Sequence, residues 1–174
     1  MSNILQKEGV RVDDILLLST GGTFNKVYNR ISGELEIDTS FLALQTIQKS
    51  WLSNYPIDTI INKDSLDFTP KDREDLKNYI INSPYTKIVV IHGTDTIHLS
   101  AKVVAQALKN KTILFTGAMV PFSIDPIEAT ANLASAIGFL HATKEPGVSI
   151  ALNGKIAQYT KIRKNRVEGY FEYT

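Results

Sequence analysis

Two short segments rich in glycine and threonine follow apolar runs of the sequence, and their side chains could perform nucleophilic chemistry. The first is STGGT at residues 19–23, and the second is HGTDT at residues 92–96. Glycines allow main-chain N–H groups to face a bound group without an intervening side chain, and threonines supply short, stiff hydroxyls. Asp95 adds a carboxylate that could hold an amine or orient a base. A third segment, TGAM at residues 116–119, again places a glycine where the backbone could approach a ligand closely.

Each of these segments also has an ordinary structural explanation. A Gly-Gly turn after a strand is common, and HGTDT is compatible with a helix start that Asp95 or Thr96 caps. GGTFNK lacks the spacing of glycine, lysine and hydroxyl residue that a phosphate-binding P-loop requires, and Asp95 would repel a phosphate. We expect His92 to be packed or hydrogen-bonded rather than a ligand, and neither His98 nor His141 has the partner pattern of a metal site.

The elements that must position these segments are visible as apolar runs and helical patterns. Five runs rich in Ile, Leu and Val predict strands that are buried on both faces: residues 15–19, 57–61, 87–91, 112–116 and 147–152. Helical patterns lie between them at residues 38–51, 69–81, 98–110 and 126–142. This alternation predicts an α/β fold, a three-layer sandwich with a mostly parallel sheet and helices on both faces, in a single domain.

In such open sheets, ligands bind beyond the carboxyl ends of the strands, so the STGGT and HGTDT segments are expected to form one site. The alternation of strand and helix breaks between Thr23 and Asp38. There, KVYNRISGELEID alternates around Ser32 and Gly33, which predicts a small hairpin. Segment 24–37 could therefore be a lid that orders over bound substrate; a permanently ordered edge hairpin is the alternative.

Length and composition limit the classes of function. A chain of 174 residues that is 43% apolar and 21% charged is ordinary for one globular domain. The net charge of +1 provides no field that would attract nucleic acid or a membrane surface. The absence of cysteine excludes disulfides and thiolate metal sites. Since the first 15 residues lack the basic start and apolar core of a signal peptide, we expect a cytoplasmic location.

The order and spacing of three motifs resemble the bacterial-type asparaginase family. The motifs are TGGTF after a short strand, IHGTDTIHLSA, and FTGAMVPFSIDPIEATANLASAI. The resemblance covers nearly the whole chain but only the amino-terminal domain of the family, so residues 1–174 are interpreted as that domain without the family's carboxy-terminal domain. It implies an amidohydrolase that converts asparagine to the acid and ammonia, with glutamine as a further candidate, and no metal or organic cofactor.

The resemblance also implies where the nucleophile lies. Thr23 matches the position of the family's nucleophilic threonine, and Tyr28 is the candidate for the tyrosine that assists it from the following mobile loop. The loop differs in length from the family's, so Arg30 or Ile31 falls near the tyrosine position in some alignments. A hydroxyl is a weak nucleophile near neutral pH, and a tyrosine or lysine with a lowered pKa can take its proton.

A second catalytic group of threonine, lysine and aspartate follows from the resemblance. Thr94 and Asp95 match the first and last of these. When this sequence is aligned with the family without a gap from Asn153, the family's lysine falls on Lys164. Lys161 is a close rival.

Substrate recognition is implied in the same way. Ser65 matches the serine that binds the substrate α-carboxylate, although the next family position, often polar, is Leu66 here. Asp95 would hold the α-amine, and the carbonyl of Ala118 would receive the leaving amide. The substrate-binding residues implied are Gly22, Ser65, Gly93, Thr94, Asp95 and Ala118.

Two further interpretations stay open beside the enzyme. A non-catalytic or weakly active amino-acid-binding module would retain the same pocket, and a nucleotide-binding protein would use the same strand ends. The expected partners are a small amide amino acid and further copies of the chain, as a dimer or tetramer, because a strand-end site needs something to exclude water. Candidate contacts are the small residues of helix 126–142, which could instead pack on the sheet, and the aromatic residues Tyr170, Phe171 and Tyr173, which could instead fold back on their own subunit. The basic run KIRKNR is typical of a solvated segment.

Overall fold

A central sheet of six strands carries the fold in a computed structural model that describes residues 14–174. The expectation that the first 15 residues are not a signal peptide falls mostly on residues 1–13, which lie outside the described residues. Within residues 14–174, no helix has both the length and the apolar character that crossing a membrane requires.

The elements alternate along the chain much as the apolar runs predict. In chain order they are β1 (Ile15–Gly21), β2 (Lys26–Tyr28), β3 (Leu35–Ile37), α1 (Leu42–Trp51), β4 (Ile57–Lys63), α2 (Pro70–Asn82), β5 (Lys87–Ile91), α3 (Ile97–Ala105), β6 (Thr112–Thr116), α4 (Pro126–Ala142), β7 (Gly147–Leu152), β8 (Lys155–Gln158), β9 (Ile162–Asn165) and β10 (Tyr170–Tyr173). All five predicted strands and all four predicted helices are present.

The sheet order is β4-β1-β5-β6-β7-β8. The first five strands are parallel, and β8 returns antiparallel to β7. Ser19 of β1 is in register with Ile91 of β5, which in turn is in register with Thr116 of β6. This register brings the ends of the STGGT, HGTDT and TGAM segments side by side at one edge of the sheet.

Helices cover both faces of the sheet, as the three-layer prediction requires. Alternate residues of β1 point to opposite sides: Leu16 and Leu18 enter one core with α2 and α3, whereas Ile15 and Leu17 enter the other with α1 and α4. All four of these β1 side chains are at most 2% exposed. A strand buried on both faces reads as a continuous apolar run, which is why β1 is recognisable in the sequence.

Local side-chain bonds set the helix boundaries. Thr69 caps α2 in a capping box with Asp72, and Pro70 occupies the first turn. α1 begins at Leu42 rather than at Asp38, because the Asp38 carboxylate accepts bonds from Ser40 N and Leu42 N and holds the chain in a turn. α3 ends at Ala105, five positions before the predicted end at 110.

The hairpin predicted around Ser32 and Gly33 is present. β2 pairs antiparallel with β3, from Lys26 opposite Ile37 to Tyr28 opposite Leu35. Gly33 has φ 75°, in the left-handed region that favours glycine. The side chains of the hairpin are largely exposed, so the hairpin lies at the surface and not within the core.

The carboxy-terminal segment is not only the solvated basic run that KIRKNR suggests, because two strands form within it. β9 and β10 form a two-stranded sheet, with Lys164 opposite Phe171. Ile162 and Phe171 are 2% and 1% exposed and belong to the same core as α2 and α3. Phe171 therefore packs within its own chain, whereas Tyr170 and Tyr173 remain exposed.

Candidate active site

Four loops at the carboxyl edge of the sheet are packed against one another through three glycines. A Cβ atom on Gly22 would lie 2.5 Å from Gly93 N, and one on Gly93 would lie 2.7 Å from Ser65 Oγ. A Cβ on Gly117 would run into the carbonyl oxygen of His92. Any side chain at these positions would force the loops apart. The glycines therefore have a packing reason to be present, in addition to the access to N–H groups that the sequence suggests.

Thr23 begins a short 3₁₀ turn, Thr23–Asn25, directly after β1. Gly22 has φ 80°, which turns the chain sharply at this point. Phe24 and Asn25 are buried, and the Asn25 amide donates to Ser19 Oγ over 2.9 Å, whereas Thr23 itself is only partly buried. The turn thus presents Thr23 at the sheet edge and anchors the residues that follow it.

Thr94, Asp95 and Lys164 are brought into direct contact. The Lys164 amino group donates to Thr94 Oγ1 over 2.8 Å and to Asp95 Oδ1 over 3.0 Å. Thr94 is 4% exposed, and the Lys164 side chain is 16% exposed. A lysine beside a buried hydroxyl and a carboxylate is a group that can move protons to and from that hydroxyl.

Of the two lysines that the sequence leaves as rivals, the structure brings Lys164 to Thr94. Lys164 is on β9, paired with Phe171 of β10, and the alternation of the strand points it away from the exposed neighbour Arg163. Lys161 lies before β9, is exposed, and makes a main-chain bond to Gln158 O.

Asn153 ties the β9–β10 sheet to the rest of the site. It adopts φ 52°, its N–H donates to Asn132 Oδ1 over 3.0 Å, and its own Oδ1 accepts from Phe171 N over 2.9 Å. Since Phe171 is opposite Lys164, this bond fixes the strand pair that carries the lysine.

Ala118 is fully buried in the loop after β6. The amide of Asn132 on α4 donates to Gly117 O over 2.9 Å, and the Glu128 carboxylate accepts from both Met119 N and Val120 N at 3.0 Å. Two side chains of α4 therefore hold the TGAM loop in place.

Ser65 is fully buried in a 3₁₀ turn after β4, and Leu66 beside it is exposed. Its Oγ accepts from Thr96 N over 3.4 Å, and its carbonyl accepts from Thr96 Oγ1 over 2.7 Å. Arg73 on α2 donates to the same Thr96 Oγ1 over 3.1 Å. The Thr96 side chain therefore bonds to Ser65 O and does not cap α3, although α3 begins immediately after it.

Tyr28, like Thr23, makes no hydrogen bond to Thr94, Asp95 or Lys164 within residues 14–174. It is on β2, 61% exposed, and within residues 14–174 its hydroxyl makes no hydrogen bond. The base of the hairpin is fixed by an ion pair in which Lys26 Nζ lies 2.8 Å from Asp64 Oδ2. The Ser123 hydroxyl also donates to Lys26 O over 2.8 Å.

His92 is packed and hydrogen-bonded, as the sequence predicts. It is completely buried between Phe68 and Phe115, its Nδ1 is 2.8 Å from Gly93 O, and its Nε2 is 2.8 Å from Ser100 Oγ. Burial lowers the pKa of His92 to about 4, although the bond to Gly93 O favours the protonated ring. A neutral His92 that donates from Nδ1 and accepts at Nε2 satisfies both contacts.

Arg166 is a site residue that the sequence reasoning missed. Its Nη2 donates to Asp95 O over 2.9 Å, and its Nη1 is 3.9 Å from Asp95 Oδ1. Ile162 and Lys164 alternate along β9, and Arg166 continues that period just beyond the end of the strand. Among residues 14–174, no group of three or more His, Cys, Asp or Glu side chains is placed to hold a metal ion.

The fold and site define a three-layer α/β domain with hydroxyl, lysine and carboxylate groups gathered at the strand ends. Residues 14–171 match the family model described as asparaginase, N-terminal, and the chain belongs to this family.

Individual relatives agree with the family match. The chain is 26% identical over 155 residues to an L-asparaginase of Thermococcus kodakarensis, which covers 86% of this chain and 47% of that protein. The solved structure of the thermostable L-asparaginase from Thermococcus kodakarensis superposes with a TM-score of 0.78 at 26% identity, over 92% of this chain and 51% of the other. A probable cytoplasmic L-asparaginase from Campylobacter jejuni superposes with a TM-score of 0.75 at 26% identity, over 92% and 52%. The chain thus spans about half the length of these relatives.

Proposed function

We propose that the chain carries the catalytic site of an amidohydrolase that hydrolyses L-asparagine to aspartate and ammonia. The observation that carries the proposal is the contact of Lys164 with both Thr94 and Asp95 at the sheet edge. A lysine drawn from the carboxy-terminal strands to a buried hydroxyl has no evident role in packing, whereas amide hydrolysis requires such a proton-transfer group.

In the first half of the proposed reaction, the Thr23 hydroxyl attacks the side-chain amide carbon of asparagine. Tyr28 accepts the hydroxyl proton once the hairpin has closed, and N–H groups beside Thr23 and Thr94 stabilise the tetrahedral oxyanion. The C–N bond then breaks, and the nitrogen leaves as ammonia with that proton, past the carbonyl of Ala118. An aspartyl ester on Thr23 remains.

In the second half, water attacks the ester carbonyl. The Thr94–Lys164 pair takes a proton from the water, and the Thr23 oxygen leaves with a proton, which restores the enzyme. Asp95 fixes the α-amine and Ser65 the α-carboxylate, so the amide carbon is held at Thr23 throughout. None of these steps requires a metal or an organic cofactor.

The alternative is an amino-acid-binding module with the same pocket. The exposure of Tyr28 is the specific observation in its favour, because a nucleophile without a base would be slow. L-Glutamine, one methylene longer, is the second substrate candidate. We place the protein in the cytoplasm, in keeping with its similarity to the probable cytoplasmic L-asparaginase from Campylobacter jejuni.

We also propose that the working form is a homo-oligomer. α4 packs its buried residues on the sheet, but Ile127, Ala131, Ala134 and Gly138 on its outer side are exposed. Such a face of small and apolar residues permits close approach of a second helix. Light scattering at micromolar concentration tests this: a monomer with full amidase activity would contradict it.

The proposed activity is tested by ammonia release from L-asparagine and L-glutamine, with calorimetric binding of L-aspartate alongside. We expect ammonia release by the wild-type protein and its loss in Thr23→Ala. Thr39→Ala, a change of an exposed threonine, is the matched control and should behave as wild type. Aspartate binding without ammonia release would favour the binding module.

A further inference from the structure

Arg73 on α2 joins the turn that carries Ser65 to the HGTDT segment through both ends of its guanidinium group. Its Nη1 donates to Phe68 O over 2.8 Å, and its Nη2 donates to Thr96 Oγ1 over 3.1 Å. Phe68 N closes the turn by donating to Ser65 O over 3.4 Å, and Thr96 Oγ1 donates to the same carbonyl over 2.7 Å. Arg73 therefore holds the turn at its far end and, through Thr96, at Ser65 itself.

This arginine forms no ion pair within residues 14–174, although part of its guanidinium group is buried. Its Nε is buried without a hydrogen-bond partner, and the group lies 5.8 Å from the centre of the Phe68 ring. Partial burial of a cation without an anion costs free energy, and an apolar side chain could cover Phe68 without that cost. What only the planar guanidinium supplies is a pair of N–H donors in fixed geometry. These two bonds are therefore the feature to explain.

The two segments that Arg73 joins are the ones expected to hold the two α-groups of the substrate. Ser65 would bind the α-carboxylate, and Asp95, the residue before Thr96, would bind the α-amine. Thr96 N donates to Ser65 Oγ over 3.4 Å, so the hydroxyl proton of Ser65 is left for a carboxylate. Because the side chain of Leu66 offers the carboxylate no polar contact, binding at this end depends on where Ser65 is held.

We infer that Arg73 is a positioning residue for substrate binding, which sets Ser65 at the distance from Asp95 that lets both α-groups bind at once. The inference rests on the proposed function for the location of the substrate. The α-groups are held equally in the ground state and the transition state, so loss of this placement raises KM and leaves kcat nearly unchanged. An arginine that only stabilises the fold would lower the free energy of unfolding and leave KM as it is.

The first part of the experiment measures kcat and KM for L-asparagine, calorimetric affinity for L-aspartate, and urea unfolding in Arg73→Met and Arg73→Lys. We expect both variants to raise KM about three- to tenfold and to weaken L-aspartate by a similar factor, with kcat within about twofold of wild type. Lysine keeps the charge but lacks the planar fork, so it should not rescue binding. The matched control is Lys71→Met, because Lys71 is on the same helix and pairs with Asp75. It should keep the wild-type KM.

The second part removes the hydroxyl that connects Arg73 to Ser65. Thr96→Val should raise KM as Arg73→Met does, whereas Thr96→Ser, which keeps the hydroxyl, should stay close to wild type. The Thr96 side chain does not cap α3, so its loss leaves that helix start intact. In the double variant, KM should not rise beyond the value of either single variant, because both changes break one chain of bonds. The Thr96 pair decides the question if the Arg73 variants do not fold.

A wild-type KM in folded Arg73→Met or in Thr96→Val, full rescue by Arg73→Lys, or an equal rise in Lys71→Met would each overturn the inference. Turnover by the wild type with no change of KM in these variants overturns the role of Arg73 alone. Aspartate binding that weakens in them, without ammonia release by the wild type, overturns the proposed function alone. A wild-type protein that neither binds L-aspartate nor releases ammonia overturns both.

Discussion

The amino group of Lys164 lies 2.8 Å from the hydroxyl of Thr94, although 70 residues separate the two along the chain. Thr94 follows β5 at the centre of the sheet, whereas Lys164 arrives from the small β9–β10 sheet. The chemistry proposed for the site depends on this contact between two parts of the chain that are far apart in sequence.

Replacing Lys164 by methionine should abolish most of the turnover of L-asparagine. The proton-transfer group would be lost while the aliphatic volume remains, so we expect kcat to fall by about 10²- to 10⁴-fold with a small effect on aspartate binding. Lys161→Met is the matched control, because Lys161 is exposed and away from Thr94. A larger loss in Lys161→Met than in Lys164→Met would show that the assignment of the lysine is wrong.

Asn153 should control the placement of Lys164 without touching substrate. Asn153→Gly keeps the left-handed backbone but removes the bond to Phe171 N, whereas Asn153→Ala removes the bond and also strains the φ of 52°. We expect kcat to fall in both variants with KM little changed, and unfolding in urea to show a further loss of stability of about 1 kcal/mol in Asn153→Ala relative to Asn153→Gly. Wild-type kcat in both variants would contradict a positioning role.

The core strands and helices could be predicted because each has a recognisable pattern within its own short stretch of sequence. β1 begins with four consecutive buried apolar residues, 15–18, and α2 carries its capping box within four consecutive residues, 69–72. β8, β9 and β10 each have four residues with a mixed pattern. Their positions depend on tertiary contacts such as the bond from Phe171 to Asn153, which no local pattern reveals.

The residues of the candidate site likewise divide into those that sequence motifs indicate and those that only the folded structure reveals. The motifs around Thr23 and Thr94 indicate strand-end loops, and the resemblance to a known family supplies a role for each matching residue. Arg166 has no counterpart in that reasoning, because its significance is the distance to Asp95 and not its sequence context. The exposure of Tyr28 is likewise a property of the folded hairpin that the sequence does not specify.

Segment 24–37 should become more protected when ligand binds, if the hairpin is a lid. Its tip is exposed, and its base is held by the ion pair between Lys26 and Asp64, so we expect motion of the outer arms around a fixed base. Hydrogen exchange with and without L-aspartate measures this, with α2 as the internal control that should not change. Equal protection of residues 24–37 in both states would indicate a permanently ordered hairpin.

Acidification should destabilise the protein through His92. The pKa of this ring is about 4 in the folded state, against an ordinary value of 6.5. Between these pH values the unfolded chain binds a proton that the folded chain does not. The contribution is fully present above pH 6.5 and is lost as the pH falls toward 4, by about 3 kcal/mol. Urea unfolding at a series of pH values measures this loss.

Two histidine variants test whether His92 causes this loss of stability, and the pKa of Asp72 shows that this carboxylate does not. His92→Gln should remove most of the slope between pH 6.5 and 4, whereas His141→Gln, a change of an exposed ring, should retain it. The Lys63 hydrogen bond lowers the pKa of Asp72 to about 2, so the stability due to Asp72 is lost only below about pH 4, outside this window. An unaltered slope in a folded His92→Gln protein would contradict the assignment.

The most direct test of the proposed function is the identity of the residue that carries the acyl group. The protein is mixed with L-asparagine, quenched with acid within the first turnover, digested, and analysed by peptide mass spectrometry. The proposed mechanism predicts an aspartyl ester on the peptide that contains Thr23, and none in Thr23→Ala. An ester on Thr94, or turnover with no ester on any residue, would contradict it.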